Sequence, residues 1–295
     1  MKASIVIRAK NEERFIGQVL EMVFAQKYED PFEVIVLDSG STDRTVAIAS
    51  QYPVRLHHIK SDEFTFGRAL NTGASLATGE YVVYLSAHCI PLDESWLALL
   101  TAPLDEDSAV GSFGRQEPLK GVNPFEELEL YAVFPERPDR PILNIFSNAN
   151  CAIRKNILEK YPFNETIPGS EDYLWRKLLP EAMKTVYVAK ASVYHSHPLS
   201  LRYWARRFEL NGECVQYLDK VYGLTYSWGL PSDNLWKLSA NWLGLMRREL
   251  TYFLENDYFS SIPLIPVYEF VRSFFYLRGL RLGSKKYSGY AKATD

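Results

Sequence analysis

The sequence predicts an α/β fold: a Rossmann-like mixed, mainly parallel sheet flanked by helices, with a helical C-terminal extension. Three observations predict it. Apolar runs of strand length, rich in Val, Ile, Leu and Tyr, recur through the first hundred residues. Segments with apolar residues at helical spacing separate them, which implies parallel pairing through right-handed crossovers. After residue 198 the pattern turns helical.

Taken in order, residues 4–7 read as a first strand, and 15–25 as a helix carrying Ile16, Val19, Leu20 and Val23 on one face. Residues 32–37 form a second buried-type strand that stops at Asp38-Ser-Gly-Ser-Thr-Asp43. A helix over 44–51 should follow, with Ser41, Thr42 or Asp43 as its N-cap. Residues 54–59 give a third strand, 66–77 a helix, and 81–85 a fourth strand. From 109 to about 198 the pattern is mixed: strands over 109–114, 148–153 and 185–188, a helix over 172–179 capped by Ser170, and a Pro-rich loop over 134–144 expected to be mobile. Helices are predicted over 200–220, 233–255 and 264–280, and no internal repeat is present.

The chain has 295 residues, 47 % hydrophobic and 23 % charged, which suits a globular core and argues against disorder. A net charge of −3 supplies no basic field, so no nucleic-acid partner is expected. Cys89, Cys151 and Cys214 are too few and too scattered for a disulfide framework, which fits a reducing cytoplasm. The start shows no signal peptide, and no window of about 18 uninterrupted apolar residues predicts a spanning helix.

In an open α/β sheet, ligands bind at the carboxyl ends of the parallel strands. Strand 1 ends in Arg8-Ala-Lys-Asn-Glu12, strand 2 at Asp38, and strand 4 in Ser86-Ala-His88. Neither a G-x-G-x-x-G turn nor a Walker A sequence is present, which weighs against dinucleotide oxidoreductases and P-loop enzymes. A carboxylate at the end of strand 2 can accept the imide N–H of a pyrimidine. It can equally serve as a turn residue, since "DSGSTD" is turn chemistry.

The segments "SIVIRAKNEERFIGQVLEMVFAQ", "VIVLDSGSTDRT", "FGRALNTGASLATGEYVVYLS" and "SEDYLW" stand in an order and spacing similar to those of the family 2 glycosyltransferases, which have the GT-A fold. The chain most resembles the rhamnosyltransferase-like members, over roughly residues 3–215. The resemblance implies an inverting glycosyltransferase that moves a sugar from a UDP- or dTDP-sugar to a hydroxyl of a glycan or lipid-linked acceptor in cell-surface polysaccharide synthesis. It also implies a catalytic domain over 1–198, with 1–115 serving the nucleotide-sugar and 116–198 the acceptor, followed by a helical region over 199–295.

By similarity, Arg8, Asn11 and Glu12 line the base and ribose pocket, Asp38 and Ser39 meet the nucleotide, and Arg68 and Asn71 face its phosphates, with Ser86 nearby. Asp172 is the implied catalytic base, which takes the acceptor's proton, and Glu171 its orienting neighbour. A helix N-terminus would hold that carboxylate rigidly, and the helix dipole would favour its ionised form. His195 and His197 flank Ser196 on an extended segment, pointing to one side about 6–7 Å apart. With Arg202, Arg206 and Arg207 on the next helix, they suggest a ligand or phosphate site.

Metal-dependent relatives place an aspartate where this chain has His88. Three readings follow: His88, with His197 and His195, binds a divalent ion (Mn or Mg in the family, shifted by imidazole toward Zn, Co or Fe); histidines and arginines alone carry the diphosphate charge; or transfer is lost. Intact Asp38, Glu171 and Asp172 speak against loss. Cys89 beside His88 reads as a small buried filler.

Two other functions compete. One is a catalytically weak nucleotide-sugar-binding partner in a glycan-assembly complex. The other is a nucleotidyltransferase, disfavoured because the Gly-rich basic loop after strand 1 is missing. The C-terminal third mixes aromatic and basic residues, among 19 Tyr, 16 Phe and 6 Trp in the chain. That mixture suits peripheral contact with the inner face of the cell membrane, and equally a helical cap or a homodimer contact.

Overall fold

The computed structural model describes residues 1–106, 108–137, 145–197, 199–225 and 235–289, with side chains of the last stretch described from 242 onward. The chain divides into two compact units. The first comprises Met1–Leu119, Glu129–Thr166 and Glu171–Ser196; the second comprises Lys120–Leu128, Ile167–Ser170 and the chain from His197.

The first unit opens with β1 (Ala3–Ala9), α1 (Ile16–Phe24), β2 (Phe32–Asp38), α2 (Thr45–Ala49), β3 (Arg55–His58), α3 (Phe66–Leu76) and β4 (Tyr81–Ser86). After these come β5 (Ile90–Pro91), α4 (Trp96–Asp105), β6 (Gly111–Glu117), α5 (Pro124–Val133, whose residues 124–128 belong to the second unit), β7 (Asn150–Arg154), α6 (Lys155–Lys160), α7 (Glu171–Leu178) and β8 (Thr185–Tyr194). The strands form one sheet in the order β3-β2-β1-β4-β7-β6-β8-β5. Pairing is parallel from β3 through β4 and between β6 and β8, and antiparallel where β7 and β5 join.

Burial on both faces explains why β1, β2 and β4 read as unbroken apolar runs. Alternate residues point to opposite sides. Ile5, Ile7, Val34, Val36, Val83 and Leu85 pack under Leu20 of α1 and Trp96 of α4. Val6, Ile35, Leu37, Val82 and Tyr84 pack under Leu70 of α3, Leu158 of α6 and Trp175 of α7. Each such side chain removed from water contributes about 1.5–3 kcal/mol.

The second unit contains α8 (Leu201–Tyr222), α9 (Leu235–Glu255), a 3-10 turn at Phe259–Leu264 and α10 (Ile265–Lys286). Its core joins Phe125, Trp204, Phe208, Phe253, Tyr268 and Tyr276. No helix of the described residues is long and apolar enough to cross a membrane.

Several sequence expectations need correction. The helix after strand 2 opens at Thr45, and among the three proposed caps it is Asp43 whose carboxylate accepts the Thr45 N–H, at 2.9 Å. Ser170 has a left-handed backbone (φ 58°) rather than the extended one of a capping residue. The carboxylate of Asp172 takes the Tyr173 N–H instead, at 2.8 Å. β8 runs to Tyr194, well past the expected end at 188. Three helices carried no usable pattern. α4 is apolar almost all round, and α6 is short. α5 turns acids inward: Glu126 receives the His197 ring, and Glu127 the Tyr252 and Tyr258 hydroxyls at 2.8 Å each. Most of the loop expected at 134–144, and the expected start of the helix at 233, lie outside the described residues.

Candidate active site

The order β2-β1-β4 makes the β1/β4 seam the switch point of the parallel part of the sheet, since chain connections leave β1 in opposite directions. Register sets Ala9 beside Asp38 and Arg8 beside Ser86. The polar strand ends therefore lie side by side because the apolar strands below them are in register.

The loop after β1 is clipped to the loop after β2. Asn11 adopts a left-handed backbone (φ 56°), donates its N–H to Ser41 Oγ at 2.9 Å, and accepts the Thr42 N–H on Oδ1 at 2.8 Å. The Glu12 N–H goes to Thr45 Oγ1 at 2.7 Å. Asp38 is 2 % exposed and accepts the N–H groups of Gly40 (3.1 Å) and Ser41 (3.2 Å) and the His58 Nδ1–H (3.3 Å). Burial, the largest influence on its pKa, pushes it up. The hydrogen bonds from Ser41, Gly40 and His58 together outweigh burial and hold the carboxyl below its ordinary value. Asp38 is thus an ionised acceptor fixed in place. Ser39, also buried, donates from Oγ to the Ala9 carbonyl at 3.3 Å.

The end of β4 carries a histidine pair. His88 donates from Nδ1 to Glu12 Oε1 at 2.8 Å, and its ring stacks on His195 with centroids 5.0 Å apart. His195, just past β8, donates from Nδ1 to Gln116 Oε1 at 2.6 Å. Ligand atoms of His88, Cys89 and His195 lie within 4.8 Å of one another. Two imidazoles and a sulfur form a nitrogen- and sulfur-rich set with no carboxylate oxygen. Such a set fits a borderline cation such as Zn²⁺ and does not fit the oxygen-seeking Mg²⁺. The Glu12 carboxylate and Gln116 amide oxygens that receive the Nδ1–H groups are the kind of acceptor that supports metal-binding histidines. Cys89 is fully buried and its thiol is pushed up by that burial, so by itself it is a protonated packing group.

Glu171 and Asp172 open α7, both tied to β1 and β7 by Asn148. Asn148 Nδ2 donates to Glu171 Oε1, and its backbone N–H to Asp172 Oδ2, each at 3.3 Å. Arg8 donates from Nη2 to the Asn148 carbonyl at 3.2 Å, and its Nη1 lies 3.9 Å from Glu171. The Arg8 Nε–H is buried with no partner among the described residues. Burial, and next the charge of Glu171, push the Asp172 carboxyl up from 3.8 to about 7, against the Tyr173 and Asn148 N–H groups and Arg8. The expectation that the helix dipole favours the ionised form is therefore overridden by burial.

The family model for Glycosyl transferase family 2 matches residues 4–162, more than half of the chain. The chain belongs to glycosyl transferase family 2. Among its relatives, the O-antigen chain rhamnosyltransferase RfbN of Salmonella typhimurium is 25 % identical over 241 residues, covering 76 % of each chain. The O-antigen chain rhamnosyltransferase WbaN of Salmonella anatum is 26 % identical over 220 residues, covering 68 % of this chain and 69 % of its own. The mannosyltransferase PcManGT of Pyrobaculum calidifontis, in complex with GDP-Man and Mn²⁺, shares the fold with a TM-score of 0.61 at 18 % identity, over 98 % of this chain and 88 % of that one. S. aureus TarS 1-349, in complex with UDP-GlcNAc, gives 0.55 at 17 %, over 100 % and 94 %. The GT-A architecture and the glycosyltransferase class read from the sequence are borne out.

Other predicted residues of this glycosyltransferase have different company. Arg68 Nε binds Glu165 at 3.2 Å, and Asn71 Nδ2 binds Glu165 and the Phe163 carbonyl at 2.9 Å, so both hold the 163–165 segment against α3. Ser86 donates its N–H to the Ala149 carbonyl at 3.1 Å. In the second unit, His197 gives its Nδ1–H to Glu126 at 2.7 Å and stacks on Tyr203, so the two histidines of the H-S-H sequence have separate partners. Arg207 reaches Glu126 at 3.7 Å, while Arg202 and Arg206 are exposed on α8.

The sequence reading missed Asn148 and Gln116. Asn148 is 2 % exposed and joins three predicted site residues. Its one signal was an amide just before an apolar strand, "SNANCAI", where a hydrophobic residue would serve packing better. Gln116 gave no signal, lying past the expected strand end at 114; in the structure it falls within β6, turns to His195 and donates to Ser147 Oγ at 2.8 Å.

Proposed function

We propose that this glycosyltransferase moves a sugar, with inversion at the anomeric carbon, from a UDP- or dTDP-sugar to a hydroxyl of a glycan or lipid-linked acceptor in cell-surface polysaccharide synthesis. The observation that carries this is the Arg8–Asn148–Glu171–Asp172 network, which fixes a carboxylate of raised pKa close to the strand ends that present Asp38. RfbN and WbaN, named as O-antigen chain rhamnosyltransferases, support the polysaccharide setting and a deoxyhexose donor.

In this reading Asp38 accepts the pyrimidine imide N–H, with Arg8, Asn11, Glu12 and Ser39 around base and ribose and Ser86 toward the phosphates, while Arg68 and Asn71 hold the 163–165 segment. Asp172 accepts the acceptor's hydroxyl proton as that oxygen attacks the anomeric carbon. The bond from the anomeric carbon to the diphosphate oxygen breaks, and the diphosphate leaves with the electron pair. A base with a pKa near 7 matches such a step, because it is mostly ionised above neutrality yet basic enough to take the proton. Glu171 keeps the pKa high and Arg8 anchors the pair. Where a divalent cation is used, His88 and His195, with Cys89 beside them, would hold it, and it would supply charge neutralisation at the leaving diphosphate.

Residues 1–198 are proposed as the catalytic domain, 1–115 for donor and 116–198 for acceptor, and 199–295 as the helical region. A peripheral seat on the inner face of the cell membrane is proposed for a chain that would meet a lipid-linked acceptor there.

The test is incubation with a panel of nucleotide sugars and an acceptor extract, following release of UDP or dTDP. Release with one pyrimidine donor, lost in Asp172→Asn, supports the reading. Donor binding without release, unchanged by that substitution, would mark a binding partner instead.

A further inference from the structure

α10 has two faces. Its inner face carries Tyr268, Val271, Tyr276 and Leu280 in the core of the second unit. Its outer face is one straight stripe, Val267, Phe270, Phe274, Arg278, Arg281 and Lys285, all exposed and within roughly 80° of arc at 100° per residue. The stripe changes character along its length. Val267 is 42 % exposed, Phe270 62 % and Phe274 51 %, with the two phenylalanine rings stacked at 5.8 Å. The turn before the helix adds Phe259, 58 % exposed. The second half is basic. From 258 to 289 the only acid is Glu269, which is fully buried and paired with Arg272 at 2.7 Å. Arg278 of the stripe is paired with Glu209 of α8 at 3.2 Å, and Lys286 beside the stripe with Glu213 at 2.7 Å, so Arg281 and Lys285 supply the stripe's unneutralised charge.

We propose that this stripe seats the chain on an anionic bilayer surface, with its aromatic half sunk at the acyl boundary and its basic half among the lipid phosphates. The proposal rests on the peripheral membrane contact put forward above and names the surface that makes it. Each half of the stripe spans about 10 Å at 1.5 Å per residue, so a helix tilted to the surface sets its aromatic end at the depth of about 5–10 Å that apolar faces of interfacial helices reach, with its basic end higher, at the phosphates. Charge complementarity selects the occupant. Two copies facing each other through this stripe would either set cations against cations or bring positive charge from both copies together with only aromatic faces to meet it, and no acid on the stripe neutralises that charge. An anionic membrane offers an apolar layer and a negative layer next to each other, in the order the stripe presents them.

The full-length protein is sedimented with phosphatidylglycerol/phosphatidylcholine vesicles and with phosphatidylcholine alone, at low and high salt. Wild type is expected to pellet with the anionic vesicles at low salt and much less with neutral ones. Arg281→Gln with Lys285→Gln should lower partitioning about thirtyfold, at about 1 kcal/mol per basic residue. Phe270→Ser with Phe274→Ser should lower it at least tenfold, even at low salt. Donor cleavage in solution by both variants should stay at the wild-type rate, which shows that they fold and keeps this result separate from the transfer reaction itself. Wild type that fails to pellet with anionic vesicles overturns membrane contact as a whole. Equal pelleting of wild type and both variants overturns the stripe as the contact. Light scattering that shows a wild-type dimer split by the phenylalanine changes, without vesicle binding, assigns the face to a second copy and overturns the proposal.

Discussion

At the scale of single residues, Asp172 is where chemistry and stability pull apart. Its carboxyl is pushed up to about 7, so the folded chain holds an extra proton between the ordinary value of 3.8 and about 7. Stability from this group is therefore greatest at low pH and is lost as pH rises through about 7. Transfer needs the ionised form and should rise over that window. The pH–rate profile should climb with an acidic limb near 7, and Asp172→Asn should lower turnover by about 10²–10⁴-fold while leaving the melting temperature at pH 8 equal or higher. A profile already flat from pH 5 upward would remove Asp172 as the base. His88 carries a second prediction. Treatment with a chelator should reduce turnover, and Zn²⁺, Co²⁺ or Fe²⁺ should restore it better than Mg²⁺, because the nearby donors are nitrogen and sulfur. Full activity in chelator would leave the histidines and arginines to carry the diphosphate charge by themselves.

Between elements, α8 and α10 cross with backbone close against backbone. A Cβ built on Gly279 would stand 2.0 Å from the Glu209 carbonyl oxygen, and one on Gly212 would stand 2.2 Å from that of Tyr276. Backbone meets backbone here, and no side chain can swing away. Gly279→Ala should therefore destabilise by about 2 kcal/mol or more, overpacking outweighing the gain of about 1 kcal/mol in helix propensity. Gly244, in α9, has nothing within 4 Å of its Cβ position, so Gly244→Ala should be neutral or slightly stabilising. Thermal melts of the two variants side by side decide the matter, and equal melting temperatures would contradict the close crossing. The contact of α9 with α10 hides a second liability. Burial, then Glu269, pushes Glu249 up to about 9, so this contact weakens as pH rises toward that value.

For the molecule as a whole, donor binding should appear as stabilisation. A ligand that binds only the folded chain adds about 2.7 kcal/mol at a hundredfold excess over its Kd. UDP or dTDP should raise the melting temperature and CDP should not, since Asp38 offers an acceptor for an imide N–H that cytosine lacks. An equal rise with CDP would withdraw the imide assignment. The sheet order explains why the strand ends are the place to look. β1, β2 and β4 are buried on both faces, so their carboxyl ends are where chain polarity and exposed loops coincide.

By itself the sequence determined the doubly covered sheet, the family, and the candidacy of Asp38, Glu171 and Asp172. Each is written in short-range pattern: strand runs, 3.6-residue periodicity, or a turn whose residues are neighbours in the chain. Only the tertiary structure decided that Arg8 meets Asn148, 140 residues away, and that His88 stacks on His195. It also decided that Arg68 and Asn71 grip Glu165, and that α5 turns Glu126 and Glu127 inward. Those pairings depend on which strand ends and helices the sheet order brings side by side. A polar residue's partner cannot be read from its own neighbours when the bond that satisfies it closes a loop of a hundred residues.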